Sequence, residues 1–205
     1  MKFERFVCGP LENNVFLLFD EEKNAIVIDP ALGSNVVLAR AKELGLKVKL
    51  VLNTHGHPDH TIEDAFIKKE TGAKLAIHKL DEYRLKDNSR VITPYLQAKQ
   101  EPVNAEQTFV DAKKIVVGKI ELKVIHTPGH TQGSSCFFAQ KEKVLFSGDT
   151  LFKSTHGRTD LSGGNQEQIR ESLKKLYKLI PKDTLVFAGH GEATTIGKEK
   201  WIEKL

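Results

Sequence analysis

The order of apolar and polar positions predicts strands first. Residues 3–7, 14–19 and 25–28 are short apolar or alternating runs, separated by Gly9-Pro10 and by the polar stretch 20–24, as in an antiparallel meander. Ser34 stands where a helix cap is expected. Val37, Leu38, Ala41 and Leu44 recur at helical spacing behind it, and Gly45 supplies a stop. Residues 48–52 read as a buried strand, 62–70 as a helix ended by Gly72, 74–78 as a strand and 79–86 as helical. Residues 87–107 hold Pro94 and Pro102 without clear periodicity, which predicts a linking loop. Strands follow at 108–110, 115–117, 121–125, 134–139 and 143–146. An amphipathic helix spans 166–180 (Ile169, Leu173, Leu176, Leu179, Ile180) and stops at Pro181; a strand at 185–188 and a helical ending complete the chain. Both halves thus run from strands to a helix, a plan that suits two facing sheets flanked by helices.

With 205 residues, the chain is expected to form one domain over residues 1–205. The net charge of +4 comes mostly from scattered lysines such as Lys113, Lys114, Lys174 and Lys175, the pattern of a solvated surface that can also draw anionic substrates toward a cleft. No basic stripe with interleaved aromatics points to nucleic acid. The only cysteines, Cys8 and Cys136, are too few for a disulfide framework in a chain of this size and read as buried free thiols. The first residues carry charges where a secretory signal would be apolar, and no apolar run approaches a membrane span. A cytoplasmic protein with no membrane partner is expected, as monomer or homodimer.

Four segments, each following an apolar strand, carry the chemistry. The densest is Thr54-His55-Gly56-His57-Pro58-Asp59-His60. Imidazole and carboxylate together suit zinc, iron or manganese. His55 and His57 are two residues apart, so extended backbone aims both the same way. Pro58 then bends the chain and sends Asp59 and His60 toward a neighbouring point, so the spacing suggests two metal positions. The Pro-Gly turn of His126-Thr127-Pro128-Gly129-His130 lets His130 reach a metal, whereas His126 fits a core or supporting place. Asp149, in Ser147-Gly148-Asp149-Thr150, has two oxygens and can bridge two cations. His190 stands between glycines at Gly189-His190-Gly191. Of the remaining histidines, His78 reads as structural and His156 as a candidate to face the cleft.

The ordered set His55-x-His57-x-Asp59-His60, Pro-Gly-His, Gly-Asp and Gly-His-Gly resembles the metallo-β-lactamase superfamily over essentially the whole chain. The resemblance implies an α/β fold, an αββα sandwich of two mixed sheets flanked by helices. It also implies one metal at His55, His57 and His130, a second at Asp59, His60 and His190, and Asp149 between them. Two divalent ions are thus expected, zinc first, with iron and manganese also suited to these donors. Thr54-His55-Gly56-His57, the stretch Gly157-Arg158-Thr159-Asp160-Leu161 and residues 189–197 resemble the hydroxyacylglutathione hydrolase (glyoxalase II) branch. That branch implies cleavage of a small thioester such as S-lactoylglutathione by a metal-activated hydroxide, with Asp59 and Asp149 as catalytic carboxylates. Arg158 is then a candidate for an anionic group of the substrate, or else an ion-pair partner of Asp160.

Two departures bear on this. The sequence Thr61-Ile62-Glu63-Asp64 stands where the family usually has glycine, which places Glu63 or Asp64 near the cleft rim. A C-terminal helical domain that helps hold glutathione in two-domain relatives is not expected here. A persulfide dioxygenase, with one iron at His55, His130 and Asp149, carries the same residues and is the alternative.

Overall fold

The computed structural model describes residues 1–86, 96 and 98–205. The first sheet consists of β1 (Lys2–Cys8), β2 (Asn13–Phe19), β3 (Asn24–Ile28), β4 (Lys47–Leu52), β5 (Lys74–His78) and β6 (Gln107–Phe109), side by side in that order. The expected meander is present, since β1, β2 and β3 pair antiparallel; β3 to β6 then pair parallel. The second half supplies β7 (Lys114–Val117), β8 (Ile120–His126), β9 (Ser135–Ala139), β10 (Val144–Gly148), the small hairpin β11 (Leu151–Phe152) and β12 (Thr155–His156), then β13 (Leu185–Ala188) and β14 (Thr194–Thr195). Its main sheet has the order β14-β13-β10-β9-β8-β7, with β10 and β13 parallel and the other neighbours antiparallel.

Three apolar layers hold these sheets together. Phe16, Ile26, Leu52, Val124, Phe137 and Phe146 fill the space between the sheets. Helix α1 (Asn35–Glu43) lays Val37 and Ala41 on the outer face of the first sheet, and Ile67 joins them from the neighbouring helical segment. On the far side, Ile169, Leu173 and Leu176 of the 166–179 helix pack on Ile125, Phe138 and Leu145. Burying each of the larger of these side chains, Ala41 apart, contributes roughly 1.5–3 kcal/mol, and the helix–sheet–sheet–helix order is the expected αββα sandwich.

The structure revises the segment after the histidine cluster. In place of one helix over 62–70, α2 (Pro58–Thr61) and α3 (Asp64–Thr71) are separated by Ile62 and Glu63. The break has a physical cause. Glu63 is drawn back toward the start of α1, where its carboxylate oxygens accept from the Gly33 and Ser34 amides at 2.9 and 2.7 Å. Ser34 is therefore not a side-chain cap; its hydroxyl donates to the Ala31 carbonyl instead. Neither acid lies at the cleft rim as expected, because Asp64 is fully buried and accepts from Asn53. Burial raises the Asp64 carboxyl well above the usual carboxylate range, against that hydrogen bond. The longest helix, 166–179, is completed as α4, capped by Asn165, which accepts from the Gln168 amide. Of the expected linking loop, residues 87–95 and 97 lie outside the described residues.

Candidate metal centre

The parallel strands β3, β4 and β5 all end on the same side of the first sheet, so the loop after β4 opens where an α/β sheet presents ligands. That loop carries His55 and His57, and the start of α2 carries Asp59 and His60. From the second sheet, His130 follows β8, Asp149 follows β10 and His190 follows β13. All seven converge.

Two groups form. The His57 Nδ1 lies 2.8 Å from His130 Nε2, which lies 3.2 Å from His55 Nε2. Beside them, His60 Nε2 is 3.2 Å from His190 Nε2, and Asp59 Oδ2 is 3.4 Å from each. Asp149 stands between the groups. Its Oδ1 is 3.4 Å from His60 Nε2, and its Oδ2 is 3.5 Å from His130 Nε2 and 3.6 Å from His190 Nε2.

The outer nitrogens explain why these imidazoles converge. The Thr54 hydroxyl donates to Asp29 Oδ2 at 2.6 Å, so its oxygen accepts the Nδ1 proton of His55 at 3.0 Å. His60 Nδ1 donates to the same Asp29 oxygen, His130 Nδ1 to the Arg158 carbonyl and His190 Nδ1 to the Leu11 carbonyl. Four rings are thereby turned with Nε2 facing inward, the arrangement that outer partners impose on metal-binding histidines. Lone pairs this close repel unless a proton or cation lies between them. The donor set therefore fits metal ions: three imidazoles in one group, two imidazoles and a carboxylate in the other.

Electrostatics separates the two groups. Burial, reinforced by the neighbouring rings, holds His55 and His57 well below the ordinary imidazole range. Burial also opposes a charged His60, but Asp59, Asp149 and Asp29 outweigh it and raise that pKa to about 10. His190 is likewise raised, against burial, by Asp59 and Asp149. Burial would raise the Asp59 carboxyl, yet His60, His190 and Asn13 hold it far below the usual range.

Several supporting residues carry no motif. Asp29 ends an apolar strand in the manner of Asp149, and that resemblance is its only sequence signal; it accepts from the Thr54 amide at 2.7 Å as well as from the groups above. Asp81 is fully buried. It accepts from the Gly56 and Gly133 amides and from the Thr131 hydroxyl, joining the loops that carry His55, His57 and His130. Asn13 donates to Asp59 at 2.9 Å, and Asn14 donates to the Ala188 and Gly191 carbonyls. Gly189 has no room for a side chain, because a Cβ there would meet Asp149 and His60. Other candidates fall elsewhere. His126 stacks on His78 with ring centroids 4.2 Å apart, outside the cluster. His156 packs beside Trp201 rather than facing the cleft. The exposed Arg158 guanidinium grips Asp160 through two bonds of 2.7 Å.

This fold and this convergent set of histidines and aspartates define a class. The chain belongs to the metallo-β-lactamase superfamily, whose family model matches residues 8–190, and it is a metal-binding hydrolase of that superfamily. More particular relatives follow. The hydroxyacylglutathione hydrolase GloC of Haemophilus influenzae is 31% identical over 202 residues, spanning 98% of this chain and 95% of that protein. The crystal structure of the BLEG-1 B3 metallo-β-lactamase superposes with a TM-score of 0.90 at 31% identity, over 97% of this chain and 96% of the other. A di-iron-bound protein, TTHA1623, gives 0.85 at 30% identity, over 96% of each chain. Among the described residues, no helix is long and apolar enough to cross a membrane.

Proposed function

We propose that residues 1–205 act as one unit, a thioester hydrolase of the hydroxyacylglutathione hydrolase type. His55, His57 and His130 would hold one divalent ion and Asp59, His60 and His190 a second, with Asp149 shared between them. The observation that carries this reading is the placement of Asp149 between the groups, with Oδ2 3.5 Å from His130 of the first and 3.6 Å from His190 of the second, and Oδ1 3.4 Å from His60. GloC, similar over nearly its whole length, supports a glutathione-derived substrate. Zinc is the first choice of metal, and the di-iron relative keeps iron next to it.

When bound, the ions supply an acidified water and a Lewis acid for the thioester carbonyl. The chain's own residues do the rest. Asp59 is fixed by Asn13 through one oxygen and offers the other to the attacking water. The acceptors behind His55, His60, His130 and His190 keep their lone pairs aimed during turnover. Arg158, if it exchanges Asp160 for substrate, receives an anionic group. No side-chain nucleophile is needed, so water adds to the carbonyl carbon, the carbon–sulfur bond breaks, and the thiol leaves with a proton.

The test is metal analysis of protein purified without added metal, paired with assays on S-lactoylglutathione, glutathione persulfide and a cephalosporin. Two ions and thioester cleavage are expected. Oxygen uptake with the persulfide and no thioester cleavage would instead identify a mononuclear iron dioxygenase using His55, His130 and Asp149. Cephalosporin cleavage as the dominant activity would also overturn the proposal.

A further inference from the structure

At the opposite end of the sandwich from the metal centre lies a cleft of about 1090 Å³, walled by the starts of β4 and β5, the end of α3 and the edge strands β6 and β7. Its floor is apolar, with Val48, Leu50 and Phe109 buried and Ile115 and Val117 half-buried. Its rim is basic. Lys42, Lys47, Lys49, Lys74, Lys113 and Lys114 line it, against a single acid, Glu70. Lys114 pairs with Glu121 at 3.1 Å, while among the described residues the side chains of the other five lysines have neither a hydrogen bond nor an ion pair.

One of these lysines is placed by a backbone irregularity. Ala25 and Ile26 of β3 are consecutive, but they face Val48 and Leu50 of β4, so Lys49 is the extra residue of a β-bulge. Bulges re-aim side chains beside functional sites, and this one sends a lysine outward between two buried apolar residues. Lys49 precedes His55 by about six residues of largely extended chain, roughly 20 Å, so the cleft is separate from the metal centre.

We propose that this cleft is a second binding site, for one long-chain carboxylate. The acyl chain lies on the floor formed by Leu50, Phe109 and Ile115, and the carboxylate meets the lysine rim. Two observations select this occupant. The charge of the rim demands an anion. A concave space at the upper end of small-molecule pocket sizes suits a single chain, whereas an interface with another protein is flatter and broader.

The experiment titrates the metal-loaded protein with monomeric octanoate, dodecanoate, dodecylamine and inorganic phosphate by calorimetry, and maps the site by methyl NMR. Dodecanoate is expected to bind roughly tenfold or more tighter than octanoate, because added methylenes are buried. Dodecylamine is expected to bind at least about tenfold more weakly than dodecanoate, and phosphate not at all. The exposed double substitution K49E/K74E is expected to weaken dodecanoate roughly tenfold while thermal melting and thioester hydrolysis stay unchanged. Shifts are expected at the Ile115, Val117 and Leu50 methyls. Equal affinity for dodecylamine, an unaffected K49E/K74E protein, or shifts confined to the loops around His57 and His190 would overturn the proposal. So would binding to anionic vesicles without binding of the monomeric acid, or a dimer in solution that this double substitution dissolves.

Discussion

The two proposed metal positions share Asp149 but are built from opposite electrostatics. In the first, His55, His57 and His130, burial holds the His55 and His57 rings well below the ordinary imidazole range. The second, Asp59, His60 and His190, gathers a carboxylate of its own and backs His60 with Asp29, so its rings hold protons that the first position refuses. Both positions offer three donors, yet His55 and His57 in the first resist a proton while His60 and His190 in the second hold one more tightly. Placing both on one carboxylate makes Asp149 the element on which the pair depends.

Removing that element is expected to have the largest effect. Asp149→Ala should lower kcat/KM for the thioester by on the order of 10³-fold, since bridging and transition-state charge stabilisation go together. Asp149 helps to raise the His60 and His190 pKa values, so the metal-free variant should melt somewhat earlier than wild type near neutral pH. Kinetics and metal content measured together check this; retention of two ions and full activity would break the bridging assignment. Asp29→Asn comes next. Asparagine tolerates the left-handed backbone that Asp29 adopts at φ 53°, so the change acts through hydrogen bonds. Asp29 touches His60 directly but His55 only through Thr54. Affinity at the second position should therefore fall about 10–100-fold, the usual cost of an outer partner, and at the first position less. Equal losses in competition with a chelator would erase the asymmetry.

The pattern of what was legible follows from the range of the interactions. Histidines and aspartates directly after apolar strands advertise themselves, because a strand must end at the sheet edge and its next residue lies in a loop. The sandwich was legible for a similar reason, since strand and helix periods reflect which face is buried. Asp81 gave no signal, because its partners Gly56, Thr131 and Gly133 are brought to it only by the tertiary fold. Glu63 misled for the same reason, since its true partners, the Gly33 and Ser34 amides, lie thirty residues upstream. The two-residue strands β11, β12 and β14 are too short to show a period.

The proton difference between the positions gives a smaller but more direct test. A His60 pKa raised from 6.5 to about 10 favours the metal-free fold fully below 6.5, and this contribution fades as pH rises through about 10. His55 and His57 act with the opposite sign. Their lowered values make the folded chain refuse protons that the unfolded chain accepts, so stability is lost as pH falls below 6.5. At about pH 7.5, between these ranges, an ion entering the first position should displace no proton from His55 or His57, whereas one entering the second should displace about one from His60. Calorimetric metal titration in buffers of different ionisation heat reads this number. Equal proton release for both ions would mean the positions are not electrostatically distinct.

The smallest expected effect concerns Arg158, and it separates backbone from side chain. The first position uses the Arg158 carbonyl, which accepts from His130 Nδ1 at 2.7 Å. The guanidinium points away, exposed and held by Asp160. Such an exposed pair contributes little to stability, and Arg158→Ala leaves the carbonyl in place. Metal affinity and kcat should therefore stay within about twofold of wild type, while KM for an anionic thioester should rise a few-fold, roughly the loss of one exposed charge contact. Asp160→Ala frees the guanidinium and should move KM the other way. If Arg158→Ala instead weakened metal binding, the side chain would be supporting the His130 loop and its assignment to substrate would fall.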